Sequence, residues 1–175
     1  MRKPPKRPVI PPRNSDNNKR KLAPDAPPKR IAELLKIVHY KGSHKGSPKH
    51  KRNPAAFGLE PFRGDRGDAT LCDAHANFQP ADTAGIPAMI ERGLRASLIG
   101  TNLWTVANNG WIFEGQVTNM VQAEYHGYPV RSSEAIAEPI YRRFRVWADC
   151  HGDAGDKQAA ENCAVLYGFR AVRVR

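Results

Sequence analysis

Proline and lysine crowd the start of this chain, and that crowding limits which part of it can fold. Eight of the 15 prolines fall within residues 1–28, among lysines, arginines and asparagines with few aliphatic residues between them. Such a stretch cannot bury enough apolar surface to offset the entropy of ordering its backbone. Residues 1–28 therefore read as a disordered basic arm, stiffened toward polyproline around Pro4, Pro5, Pro11 and Pro12. Residues 29–175 remain for a single domain, and domains usually run to roughly 100–150 residues.

Charge follows the same division. Up to Asn53 there are 16 Lys and Arg against three acids, a net +13, so the formal +11 of the whole chain leaves −2 for the rest. A near-neutral body carrying a cationic arm is expected to meet a polyanion, with RNA favoured among nucleic acids. No apolar run reaches the roughly 18 residues of a membrane span, and the start MRKPPKRPVIPP lacks an apolar signal segment. A cytoplasmic protein without a membrane partner is the expectation, although delivery into another cell by a secretion system would leave no readable mark. Three cysteines, Cys72, Cys150 and Cys163, are an odd and sparse set that argues against a disulfide scaffold.

Hydrophobic periodicity predicts an α+β domain, a small antiparallel sheet packed against helices. Ile31, Leu34, Leu35 and Val38 share one helical stripe. Ile86, Met89, Ile90, Leu94 and Leu98 mark a second helix, capped by Asp82 or Thr83 and ending at Gly100. Strands over 102–107 and 111–118 flank Asn108-Asn109-Gly110, a pair-and-glycine turn that tolerates positive φ. Trp111, Phe113, Gly115 and Val117 then share a face, with Trp111 expected toward the core. Residues 125–129 read as a turn. Ile136, Ile140, Phe144 and Trp147 predict a further helix, capped by Ser132 or Ser133 and either kinked or started at Pro139. A short helix over 157–162 and a final strand through Val165, Tyr167 and Phe169 complete the pattern.

The chemistry concentrates in the loop after the first helix, which holds His39, Tyr40, Lys41, His44, Lys45, Lys49, His50, Lys51 and Arg52. RNA is cut without metal when a base takes the 2′-hydroxyl proton, an acid protonates the leaving oxygen and cations hold the charge on phosphorus. Histidine suits both proton transfers near neutral pH. His50 and His44 are thus candidate proton carriers with Lys49 beside them, and Lys41, Lys45, Lys51 and Arg52 are candidate phosphate contacts. The alternative is a solvated loop that binds phosphate by counterion release and catalyses nothing. Tyr125, His126 and Tyr128 form a second candidate: aromatic faces stack bases while His126 shares proton transfer, or the three simply pack as an aromatic turn. Arg142 and Arg143 either extend the basic surface or form the wet face of a helix. Cys72 and His75 resemble half of a zinc site, but Cys150, His151 and Cys163 lack the spacing of the other half, so no metal is expected, and no cofactor.

Lys49-His50 followed by Phe57-Gly58, a helix and the hairpin NNGWIFEGQVTN resembles the layout of the colicin D-type tRNA nuclease toxins. The resemblance spans residues 45–119 and implies a metal-free nuclease with proton transfer on His50 and phosphate contact on Lys49. It leaves Thr118 and Asn119 as positional candidates only, and six residues rather than about three separate His50 from Phe57. The chain also resembles small bacterial proteins that share a KGSPxHK stretch, a Cys-Asp turn and a Tyr-x-Gly-Tyr-Pro element, a likeness that implies no activity. The sequence thus points to a bacterial ribonuclease-like or RNA-binding effector or toxin with a possible immunity or antitoxin partner. Its rivals are a non-enzymatic nucleic-acid-binding accessory protein and an interaction module with an acidic partner. Oligomeric state is not legible.

Overall fold

The computed structural model describes residues 20–41, 46–100, 102–119 and 124–170, without side chains at 37–41, 117–119, 124 and 125. Its centre is an antiparallel sheet in the order β1 (Leu103–Val106), β2 (Ile112–Asn119), β3 (Glu124–Pro129). The predicted hairpin joins β1 to β2, with Val106 opposite Ile112 and Gly110 at φ +91°. That angle is the one the Asn-Gly sequence anticipates.

The stretch read as a turn, 125–129, is instead strand β3, which sets Tyr128 opposite Glu114 and Gly127 opposite Gly115. Left unpaired, the outer edge of β2 would bury backbone donors and acceptors, and the tyrosine-rich segment satisfies them better than a turn would.

Both faces of the sheet are covered, so alternate strand residues serve two cores. Trp104, Val106 and Ile112 meet Ile140, Tyr141, Phe144 and Cys163 of helices α4 (Ala137–His151) and α5 (Ala154–Tyr167). Leu103 and Phe113 meet Ile90 and Leu94 of α3 (Ile86–Arg95) and Cys72 of the short α2 (Cys72–His75). Leu34 and Leu35 of α1 (Pro28–Lys41) pack against this second cluster. Trp111 lies at the junction of the two clusters, its ring edge-on to Tyr167 at 5.8 Å. The domain is α+β, and among the described residues no helix is long and apolar enough to cross a membrane.

Several boundaries differ from the sequence reading. A 3₁₀ segment, Pro80–Gly85, precedes α3, and neither Asp82 nor Thr83 caps that helix: its N-cap is Gly85, while Asp82 accepts from Gln79 N at 2.7 Å inside the 3₁₀ segment. Helix α3 stops at Arg95, short of Gly100, because Ser97 turns to φ +56° and Leu98 N bonds back to Gly93 O at 2.8 Å. Neither Ser132 nor Ser133 caps α4; Glu134 accepts from Arg131 N instead, and Pro139 sits in the first turn, where its missing N–H costs nothing. No final strand runs through Val165 and Tyr167. Both belong to α5, whose Asp153–Asp156 capping box starts a helix that buries Ala159, Ala160, Cys163 and Tyr167. The alternation at 165–169 is incidental to that stripe, and Val165 points into solvent, 84% exposed.

The arm boundary is also corrected. From Arg20 onward the chain is tied down: Leu22 bridges Gly100, Ala23 N donates to Ile99 O at 2.8 Å, and Arg143 Nη1 donates to Ala23 O at 2.6 Å. The approach is so close that a Cβ on Gly100 would lie 2.0 Å from Lys21 O.

Candidate functional site

His50 closes a 3₁₀ turn, Pro48–His50, that is fastened to the start of α2 by the Asp73 carboxylate. Arg52 N and Asn53 N donate to it at 2.8 and 2.9 Å. Burial alone would raise the Asp73 pKa, but the N–H groups of Arg52, Asn53 and Ala74 outweigh it and hold the carboxyl below its ordinary value.

The fastening presents the His50 ring to β3. Its Nδ1 lies 2.9 Å from Thr70 O, and because a carbonyl only accepts, Nδ1 carries the proton and Nε2 is left as an acceptor. The ring stacks on Tyr128 at 4.7 Å and 16°. Tyr128 Oη donates to Glu114 Oε1 at 2.8 Å. Glu114 is completely buried and also receives Trp104 Nε1 at 3.0 Å, Asn102 Nδ2 at 2.6 Å and Arg20 Nε at 2.9 Å. Arg20 reaches on to Glu134, which accepts from Arg131 N at 2.8 Å. Arg131 Nε then donates to Thr70 Oγ1 at 3.2 Å, and its guanidinium pairs with Asp68 at 3.7 Å. The contacts therefore close into a ring through His50, Tyr128, Glu114, Arg20, Glu134, Arg131 and Thr70. His126 stands two residues before Tyr128 on the same face of β3, opposite Gln116.

The electrostatics of the ring are those of a partly desolvated site. Burial lowers the His50 pKa against the opposing Thr70 bond, and the charges of His126, Lys49 and Lys51 lower it further. Burial lowers His126 as well. Tyr128 is raised by burial and by Glu114, so its hydroxyl stays protonated. Burial would lower Arg20, but its bonds to Glu114 and Glu134 win and raise it.

Of the residues expected from sequence, His50, His126 and Tyr128 are brought together, with Lys49 exposed on the same turn. Lys51 is a correction: it is not a surface phosphate contact but is 1% exposed, its ammonium over the Phe57 ring at 4.8 Å. Arg52 contributes its backbone to Asp73 while its side chain is solvent-exposed. Arg142 pairs with Glu138 on the exposed face of α4, the plain reading of that charge run. Arg143 is committed to the carbonyls of Ala23 and Ser97, so it fixes the arm rather than a ligand. His44 and Lys45 lie outside the described residues, as do the side chains of Lys41, Thr118, Asn119 and Tyr125. Cys72 and Cys163 sit in clusters on opposite faces of the sheet, and His75 accepts from Leu71 N, so the residues weighed as zinc half-sites do not converge.

Arg20, Thr70, Glu114 and Arg131 were not singled out from sequence. Glu114 had a detectable signal, an acid between Phe113 and Gly115 in an apolar strand that must bury one face. Its partner Arg20, 94 positions away, had none. No protein-family model, curated protein or solved structure matches the chain.

Proposed function

We propose that the protein binds RNA and cleaves it without a metal, using His50 as general base and His126 as general acid. Support comes above all from the His50 ring, stacked on Tyr128 with Nδ1 bonded to Thr70 O, which fixes the tautomer that a base needs. In the reaction His50 Nε2 takes the 2′-hydroxyl proton, and that oxygen attacks the adjacent phosphorus. The 5′-oxygen leaves with a proton from His126, and the product ends in a 2′,3′-cyclic phosphate. Arg131 and Lys49 supply positive charge for the phosphate. The 16 cations before Asn53 supply non-specific affinity. An acidic protein that covers the His50 turn is the fitting immunity or antitoxin partner, because it would neutralise the same cations.

The test is incubation of total RNA and tRNA with the purified chain in EDTA, followed by end analysis. Cleavage leaving cyclic phosphate ends is expected, with His50→Ala and His126→Ala each slower by about 100-fold or more. RNA left intact from acid to neutral pH, or a His50→Ala variant as active as the parent, would overturn the catalytic reading. RNA bound in a salt-dependent manner but never cut would establish the binding protein in its place.

A further inference from the structure

On the face of the sheet opposite the His50 ring, β2 and β3 form one wall of a cavity of about 60 Å³. Phe78, Met89, Ile90, Leu103 and Phe113 line it. It is open because Gly115 and Gly127 stand opposite each other on the two strands, and a Cβ at either would meet only backbone oxygen, at 3.6 and 3.5 Å. Any larger side chain at these two positions would fill the space.

Glu114 and His126 border the cavity too, but the Glu114 carboxylate is taken up by Arg20, Asn102, Trp104 and Tyr128, which leaves Lys51 as the charged group without a counter-ion among the described residues. Lys51 lines the cavity and is 1% exposed, with its ammonium over the Phe57 and Phe78 rings at 4.8 and 5.8 Å and beside the Cys72 thiol. Among the described residues no carboxylate pairs with it. Two aromatic faces recover only part of the hydration a buried ammonium gives up. A nucleobase is a poor fit, because its several donors and acceptors would go unmet.

We infer that this cavity binds a small monocarboxylate, with its short alkyl body among Phe78, Met89, Ile90 and Phe113 and its carboxylate on Lys51. The space holds roughly four water-sized bodies, which corresponds to an acid of roughly four to six carbons. Occupancy is felt across the strand. Lys51 adjoins His50 in sequence and its charge depresses the histidine, so a carboxylate that neutralises Lys51 raises the His50 titration midpoint. The cavity borders His126, but carboxylate binding on Lys51 requires no RNA chemistry.

The experiment titrates the full chain with butyrate, isovalerate and hexanoate, and with the alcohols of the same carbon skeletons, at constant ionic strength. The readouts are Tm and the NMR titration of the His50 ring. The carboxylates are expected to raise Tm saturably, as a ligand of the native state alone does, and to shift the His50 midpoint upward, while the alcohols do neither. Lys51→Met, similar in length and apolar, should weaken carboxylate binding about tenfold or more. Gly127→Val should abolish it by filling the cavity. Equal effects of acid and alcohol, no saturable response to any acid at millimolar concentrations, or full retention of binding in Lys51→Met would overturn the inference. The comparison of acids with alcohols uses the unaltered chain, so it decides the matter even if a variant fails to fold.

Discussion

Glu114 illustrates how one residue fixes several others. Completely buried, it is tolerable only because Arg20, Asn102, Trp104 and Tyr128 all donate to it. Breaking a buried ion pair by removing one partner costs about 3–5 kcal/mol. Glu114→Ala should therefore lower Tm by roughly 10 °C and loosen the Tyr128 face on which His50 stacks. Differential scanning calorimetry checks the first effect, and the NMR line of the His50 ring checks the second. The histidines set a pH dependence of their own. Both have folded pKa values below the ordinary 6.5, so the unfolded chain binds more protons in that range. Their contribution to stability is complete above pH 6.5 and is lost as pH falls through the depressed folded values. A plot of Tm against pH from 7 to 5 should slope downward toward acid, and His50→Gln, which cannot titrate, should flatten it. The same shifts place any bell-shaped profile of RNA cleavage with its optimum below 6.5, because base and acid both titrate there.

At the scale of elements, helix α3 and strand β1 meet at a point that admits no side chain. A Cβ on Gly93 would lie 2.1 Å from Trp104 O. That carbonyl is backbone and cannot swing aside, so Gly93→Ala should destabilise by about 1–3 kcal/mol despite the better helix propensity of alanine. An exposed site such as Gly85, where a Cβ meets nothing within 4 Å, serves as the control in denaturant titrations. The hairpin between β1 and β2 is specified locally, since Asn-Gly chemistry and the flanking alternation agree. Strand β3 is different. Tyr125, Gly127 and Pro129 carry turn-like composition, and only the vacant edge of β2 makes them a strand. The same competition decides the end of the chain, where alternation at 165–169 pointed to a strand while the small residues Ala159, Ala160 and Cys163 pack a helix onto Trp104 and Ile112.

For the whole molecule, the placement of Arg20 divides the basic stretch into two parts with different work. Residues 2–19 add six cations and one acid, whereas Arg20 completes the Glu114 network. Under the proposed function, deleting 2–19 should weaken RNA binding and reduce its dependence on salt, by about one unit of slope for each phosphate no longer neutralised. Extending the deletion through Arg20 should also lower Tm. Filter binding over a salt series and a thermal melt of the two truncations separate the effects; equal Tm values would show that Arg20 does not hold the fold. The sequence by itself determined the α+β class, the central hairpin, the helical stripes and the segregation of charge, because each is encoded within a few residues by periodicity, turn chemistry or composition. It also marked His50, His126 and Tyr128 as chemically suited to one another. Only the tertiary structure decided that these three meet, that Glu114 and Arg20 stand behind them, and that Lys51 turns inward. Such pairings join positions up to 94 residues apart, and burial of charge depends on what the whole fold leaves unpaired rather than on any local pattern.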